Sequence, residues 1–413
     1  MSNMKVKKTR FTCLRDGLAI RGFEFRPEGE RLPAVILSHG FMSNHVDTDR
    51  YAKRFAEMGY AAYTFDFNGG CLIGSSDGKS TEMSVLTEEE DLKAVIAYVS
   101  ALRYTDNSKL TLMGFSQGGF VSALAAADMP QRIKRLILYY PALCIPDDAR
   151  AGQMMKASFD PENIPETFSC GPMKLGRKYA ADVISMNPFE EIRGYRGPVL
   201  IVHGTADPIV NVAYAKQAWK TYTFGDINSR IEKEDLDRKG ERCDLPEIPG
   251  HKKPHRYVQL ALIAGGGHGF RGKKAEEAFE RVRRFLDGWA EILTLDLRSA
   301  ALEGAKKDKK ERRLAGEAKS PFFRGEVTDC YVSRKDRWGK NRAAELVCAG
   351  KDYTGAVCEI RASYEGDGRD SALRVWTDSK ALAYLKDSRC EASWEKKKEQ
   401  MTVRVYSRRH DGE

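Results

Sequence analysis

The chain has 413 residues, 42% hydrophobic, 31% charged and 10% aromatic, and its 68 Lys+Arg against 59 Asp+Glu give a formal charge of +9. This composition excludes a disordered, collagen-like or coiled-coil chain, and the length points to two or three domains. No run approaches the ~18 consecutive apolar residues of a membrane helix, and the basic start lacks the apolar core of a secretory signal, so the expected compartment is the cytoplasm.

Along the first 300 residues, short apolar runs alternate with amphipathic stretches, the pattern of βαβ units and a parallel sheet. Residues 33–38 (PAVILS) form a buried-strand run that ends at His39-Gly40. A short helix over Tyr51 to Gly59 and a strand over Tyr60 to Phe67 follow. The acidic start Thr87 to Asp91 places negative charge at a helix N-terminus, which the backbone dipole favours, and that helix continues through Val99. Lys109 to Met113 is a strand, and Gly118 to Met129 an alanine-rich helix stopped by Pro130. Ile133 to Tyr140, Val199 to His203 and Val258 to Ala264 are further strands. Apolar positions from Ala275 to Leu293 recur at helical spacing and are expected to close an α/β domain spanning residues 1–300.

Two segments interrupt this rhythm. Residues 142–196 are proline-rich without a long strand or helix repeat, too long for a plain connection, and are expected to form a cap. Residues 222–256 read as a charged surface insertion. The mixed-charge run Lys306 to Arg313 marks a linker over 301–320. Beyond it, β-branched and aromatic runs separated by turn residues predict a small β-rich domain over 321–413, a sandwich or barrel. Its tryptophans Trp338, Trp376 and Trp394 are expected in its core. Exposed, they would offer stacking surfaces to sugars or bases.

Nine cysteines, with no C-x-x-C pair and no Cys/His cluster of zinc spacing, read as reduced and mostly buried thiols. From Ala301 onward there are 26 Lys+Arg and 20 Asp+Glu. Neither part of the chain is a strong polycation, so nucleic acid is not an expected partner.

The chemistry-bearing signal is Gly114-Phe115-Ser116-Gln117-Gly118-Gly119, which follows a strand and opens a helix, the setting of a nucleophile elbow. A serine needs a base and the base needs an acid, in the chain order Ser, Asp, His for this arrangement. His268, in the glycine-rich loop Gly265 to Gly269 after a strand, is the candidate base. His251, His255 and His410 read as surface residues, His203 as structural, and His39 as a loop organiser. Asp207, in the loop past the strand at 199–203, is the candidate acid, ahead of Glu190 in the cap. Backbone amides of Phe41 and Gln117 are the candidate oxyanion donors.

With these motifs in order, residues 1–295 resemble the α/β-hydrolase superfamily. Leu37-Ser38-His39-Gly40-Phe41, Phe65-Asp66-Phe67-Asn68-Gly69, Ser76-Asp77-Gly78-Lys79, Gly114 to Gly119 and His203-Gly204-Thr205-Ala206-Asp207 are similar to the bacterial cinnamoyl/feruloyl esterase-like group, which overlaps with serine aminopeptidase-like proteins. The resemblance implies an α/β fold with a cap, a Ser116–His268–Asp207 triad, and hydrolysis of a small-molecule carboxylic ester through an acyl-enzyme. It implies no metal and no organic cofactor. It also places Asp148 where a cap aspartate contacts a substrate phenol, although the residue by itself reads sooner as a solvent-facing charge. The tail matches no family pattern, and its partner is open. Two alternatives stand beside the esterase. One is an aminopeptidase or amidase, which would need Asp147, Asp148 or Glu162 to hold an amino terminus. The other is an inactive hydrolase domain within a binding protein.

Overall fold

A computed structural model describes residues 5–227, 257–299, 311–320, 322–333, 342–366, 372–386, 388–397 and 400–408. The chain divides into two compact units, with a boundary between Val282 and Arg283.

The first unit is built on an eight-stranded sheet of β1 (Val6–Arg15), β2 (Leu18–Pro27), β3 (Leu32–Ser38), β4 (Ala61–Phe65), β5 (Thr105–Phe115), β6 (Arg135–Tyr139), β11 (Val199–Gly204) and β12 (Val258–Ile263). Their spatial order is β1-β2-β4-β3-β5-β6-β11-β12. The β1–β2 hairpin, which the sequence pattern did not suggest, is antiparallel and joins β4 antiparallel. All pairs from β4 to β12 are parallel. Buried on both faces, β4 and β11 carry apolar side chains almost throughout, as central parallel strands must.

Helices cover this sheet. Helix α1 (His45–Glu57) starts where the Asn44 side chain accepts from the Val46 N–H. Helix α2 (Val85–Ser100) begins with a reciprocal Ser84–Thr87 capping box. Helix α3 (Gln117–Asp128) buries its first ten residues, which explains its small side chains. The cap comprises α4 (Ile145–Arg150), two hairpins β7–β8 (Gln153–Met154, Ala157–Ser158) and β9–β10 (Thr167–Cys170, Met173–Gly176), α5 (Arg177–Ala181) and α6 (Pro188–Ile192). Helix α7 (Val212–Phe224) buries Trp219, Tyr222 and Phe224 and stops at Gly225, whose φ of 73° suits glycine. The insertion expected from 222 therefore does not begin there: an apolar helix face runs through 224. Residues 228–256, with His251 and His255, lie outside the described residues.

Helix α8 spans Gly272–Leu286, and Phe279 packs against Tyr51 and Phe55 of α1. The expected continuation of this helix to Leu293 is corrected. Gly288 takes a φ of 83°, and Trp289–Ser299 form strand β13. The alternation in Leu293, Leu295 and Leu297, all buried, is a strand period that overlays the helical one.

The second unit is a closed antiparallel barrel of β13, β14 (Glu311–Lys319), β15 (Phe323–Ser333), β16 (Arg342–Asp352), β17 (Val357–Gly366), β18 (Ala372–Thr377), β19 (Cys390–Lys397) and β20 (Gln400–Arg408). Strand β20 returns to pair with β13, which closes the barrel. Shifts of register at Glu291/Leu293, Arg313/Gly316 and Val327/Asp329 bend the strands, as closure requires. At Gly316 a Cβ would stand 1.9 Å from the Asp296 carbonyl oxygen, so only glycine fits that bend. The interior is filled by Leu297, Phe323, Cys348, Leu382 and Val405 among others.

The barrel corrects two further expectations. Residues 301–320 are not all linker, since β14 occupies 311–319 and is paired on both sides; residues 301–310 lie outside the described residues. Along β14 the exposed Ala315 and Glu317 alternate with the buried Leu314 and Ala318. Trp376 is 45% exposed on β18 rather than buried, with the Arg361 and Lys386 charges 5.5 and 5.4 Å from its ring. Trp338 lies outside the described residues, and Trp394 belongs to β19. Among the described residues eight cysteines are free, six of them buried.

Candidate active site

Strand β5 delivers Phe115 and Ser116 to the start of α3. Ser116 adopts φ 54° and ψ −120°, a conformation L-residues rarely take. The turn closes because its neighbours lack side chains. A Cβ on Gly114 would lie 2.1 Å from the Gly118 carbonyl oxygen, and one on Gly118 2.2 Å from that of His39. Gly40 brings the loop after β3 beside the serine, where a Cβ would be 3.1 Å from that of Ser116. This loop carries the Phe41 amide, and Gln117 is the first residue of α3.

The loop after β12 brings His268 to this turn. Its Nε2 is 3.1 Å from Ser116 Oγ and its Nδ1 2.9 Å from Asp207 Oδ2. Asp207, in the loop after β11, also accepts from the Ile209 and Val210 N–H groups through Oδ1. Burial works against an ionised Asp207. The hydrogen bond and charge of His268, with the nearby His203 and the Ile209 N–H, outweigh it and hold the carboxyl below its ordinary value. The Tyr140 ring packs on the imidazole with centroids 4.5 Å apart. The three residues picked out as nucleophile, base and acid are thus brought together, whereas Glu190 sits on α6 with Arg193 as its ionic neighbour.

His39 is fully buried and works within the loop. Its Nδ1–H donates to the Gly40 carbonyl and its Nε2 accepts from the Phe67 N–H. Burial lowers its pKa, in keeping with a neutral ring in those two roles. His203 is equally buried; its Nε2 donates to the Val210 carbonyl and lies 3.5 Å from Asp207 Oδ2. Burial lowers its pKa as well. It backs the acid, a role that its position four residues before Asp207 could have suggested.

His39, Asp66 and Cys71 bring one potential metal-ligand atom each to within 4.8 Å of one another. The His39 and Asp66 atoms already have other work, and Cys71 Sγ lies 3.3 Å from His39 Nε2. Besides the His39 bond to Phe67, Asp66 accepts from the N–H and Nδ1 of His45 and from the N–H and hydroxyl of Ser75. The donor set suits loop bracing better than a cation.

In the cap, Asp147 is held by Arg150 at 2.5 Å and by the Tyr214 hydroxyl at 2.7 Å. Asp148 is half-buried, not a free surface charge, and burial pushes its carboxyl up to about 6. Glu162 is exposed. His410 lies outside the described residues.

A mostly parallel sheet with a strained serine between β5 and α3 defines an α/β-hydrolase, and the chain belongs to that superfamily. Within it, residues 29–166 match the Hydrolase_4 family, described as serine aminopeptidase, S33. The chain is 35% identical over 127 residues to an uncharacterised 31.7 kDa protein of the traX-finO intergenic region of Escherichia coli, a match covering 30% of this chain and 42% of that one. It is 32% identical over 108 residues to the quorum-quenching protein AidA of Acinetobacter baumannii, covering 25% and 34%. The chain therefore spans less than half the length of these curated relatives. Among solved structures, Est1E of Butyrivibrio proteoclasticus with ferulic acid bound is similar at 26% identity and a TM-score of 0.55, over 67% of this chain and 97% of that one.

Proposed function

We propose that the chain is a serine hydrolase of carboxylic esters. The observation that carries this reading is the His268 imidazole lying between Ser116 Oγ at 3.1 Å and Asp207 Oδ2 at 2.9 Å, on a strained elbow. Ser116 attacks the ester carbonyl as His268 takes its proton, and the alcohol leaves with that proton. Water then enters through the same imidazole and releases the acid. Asp207 fixes the Nδ1–H tautomer and stabilises the imidazolium. The backbone amides of Phe41 and Gln117 are assigned to the oxyanion. Losing one such donor costs ~10²–10³ in rate.

Similarity to Est1E, with ferulic acid in its structure, and Asp148 in the cap support an aromatic, hydroxylated acyl group as the substrate class. The Asp148 carboxyl, half-buried in the cap, is an acceptor for a phenolic hydroxyl. The aminopeptidase alternative needs a free carboxylate in the cap; Asp147 is already taken by Arg150 and Tyr214, which leaves Asp148 and Glu162 for that role.

The test is hydrolysis of nitrophenyl esters from acetate to octanoate, of methyl ferulate and of aminoacyl nitroanilides by wild type and Ser116→Ala. Ester turnover lost in the variant is expected. Inertness of both proteins toward esters, or equal rates for the two, overturns the reading, and turnover of the anilides alone transfers it to the amidase.

A further inference from the structure

The mechanism above uses the backbone amide of Gln117 but leaves its side chain unexplained. That side chain is 1% exposed and both of its ends are held. Its Nε2 donates to Glu88 Oε2 at 2.8 Å, and its Oε1 accepts from the Tyr179 hydroxyl at 2.5 Å. Glu88 comes from α2 and Tyr179 from α5 of the cap. The Tyr179 ring in turn packs on the Phe41 ring, with centroids 5.4 Å apart. One chain of contacts therefore runs from α2, through the first residue of α3, to the loop after β3, and touches the two residues whose amides are assigned to the oxyanion.

We propose that Glu88 is a positioning residue for the oxyanion site, acting through the Gln117 side chain and with Tyr179 as its second anchor. This deepens the esterase reading and rests on it.

The physical case is one of satisfaction. A buried carboxamide has two N–H donors and an acceptor oxygen to place, and the first turn of α3 turns with them. Besides Glu88, the other polar neighbour of Gln117 Nε2 is the Met83 sulfur at 3.9 Å, a weak acceptor. Without Glu88 the carboxamide rotates or draws in water, and the residue carrying the oxyanion amide follows it.

Glu88 is itself 1% exposed, in a place with no room for a second role. Gly70 passes so close that a Cβ there would be 2.5 Å from Glu88 Oε1. Burial, opposed by the Gln117 hydrogen bond and reinforced by the charge of Asp91, pushes its carboxyl well above the usual range. A neutral acid still accepts through its carbonyl oxygen, and a glutamine reproduces that shape and that acceptor.

The experiment compares wild type, Glu88→Leu and Glu88→Gln on a nitrophenyl ester, with Ser116→Ala as the control on the chemistry. Affinity for an aryl trifluoromethyl ketone, which forms a tetrahedral oxyanion adduct with the serine, is measured alongside. Expected for Glu88→Leu is a fall in kcat of ~10-fold or more, short of the ~10²–10³ of a lost donor, with KM within about threefold. The ketone should weaken by a matching factor, and Glu88→Gln should restore all but about threefold of both. Tyr179→Phe, which keeps the ring on Phe41 and removes only the hydroxyl, is the second variant should the leucine fail to fold. It too should lower kcat and ketone affinity together.

Wild-type kcat and ketone affinity in Glu88→Leu, or in Tyr179→Phe where the leucine variant does not fold, overturns the proposal, as does a loss in the glutamine variant equal to that in the leucine or a loss confined to KM. If Ser116→Ala matches wild type, the esterase reading falls and this proposal with it. If turnover depends on Ser116 but not on Glu88, only this proposal falls.

Discussion

The backbone of Ser116 makes a prediction that is independent of any substrate. At φ 54° and ψ −120° a side chain is strained, and a glycine is not. Such a conformation costs ~1–3 kcal/mol for a residue with a Cβ. Replacing it with glycine gives back ~0.5–1 kcal/mol through the freer unfolded chain, and the half-buried Cβ loses part of the ~0.8 kcal/mol of a buried methylene. The net expectation is that Ser116→Gly is more stable than Ser116→Ala by about 1 kcal/mol, or roughly 2–4 °C in midpoint for a unit of this size. Alanine is the proper reference because it keeps the Cβ and the strain while losing the same hydrogen bond to His268 that glycine loses. Scanning calorimetry of the full chain, comparing the transition that moves between the two variants, reads the difference. A glycine variant no more stable than the alanine would refute the claim that the elbow stores strain.

Two further predictions concern the fold. Burial disfavours the Asp66 anion, but hydrogen bonds from the His45 side chain and N–H and from Ser75 outweigh it and hold its carboxyl at about 2. A folded value below the unfolded one contributes stability that is present above pH ~4 and is lost as the pH falls toward 2. The amount is roughly 2 kcal/mol, so Asp66→Asn should lower the urea midpoint at pH 7 and flatten its decline below pH 4; an unchanged acid limb refutes the assignment. Truncation offers the other test. A chain ending at residue 320 keeps β13 and β14 without their other barrel partners, exposing Leu295, Leu297 and Ala318, whereas one ending at 288 carries no barrel strand. The longer product should therefore be the more prone to aggregate, read by light scattering; equal solubility would count against β14 as a barrel strand.

What was legible in the sequence is what is local. The elbow could be read because its glycines sit two residues either side of Ser116 and each is needed by a close backbone approach. His268 and Asp207 could be picked because loops at the ends of parallel strands are where side chains converge. The barrel was legible as β-rich but its start was not. Residues 289–297 carry the helical spacing of the preceding segment and a strand alternation at once, and only the Gly288 turn decides between them. Trp376 was misplaced because aromatic alternation marks a strand without saying which face is the interior.

Glu88 marks the boundary of such reading most sharply. In sequence it belongs to an acidic run at a helix start, where charge beside the dipole is the natural account. Yet Ser84 and Thr87 already cap α2, and the fourth residue of the helix turns inward. Its bond to Gln117 spans 29 positions, and the bond from Gln117 to Tyr179 spans 62. None of the three residue types is unusual where it stands. Their meaning comes from convergence: a helix, the residue after the nucleophile and a cap residue satisfy one another's polar atoms in a place that water does not reach. Burial is what turns an ordinary carboxyl into a demanding one, because there an unmet donor on Gln117 costs ~1–3 kcal/mol instead of finding a solvent partner. Position in the fold, not residue type, therefore decides which glutamate of the run is tied to the chemistry, and Glu90, two residues on, more than half exposed and paired with Lys93, is the counterexample that the sequence does not separate from it.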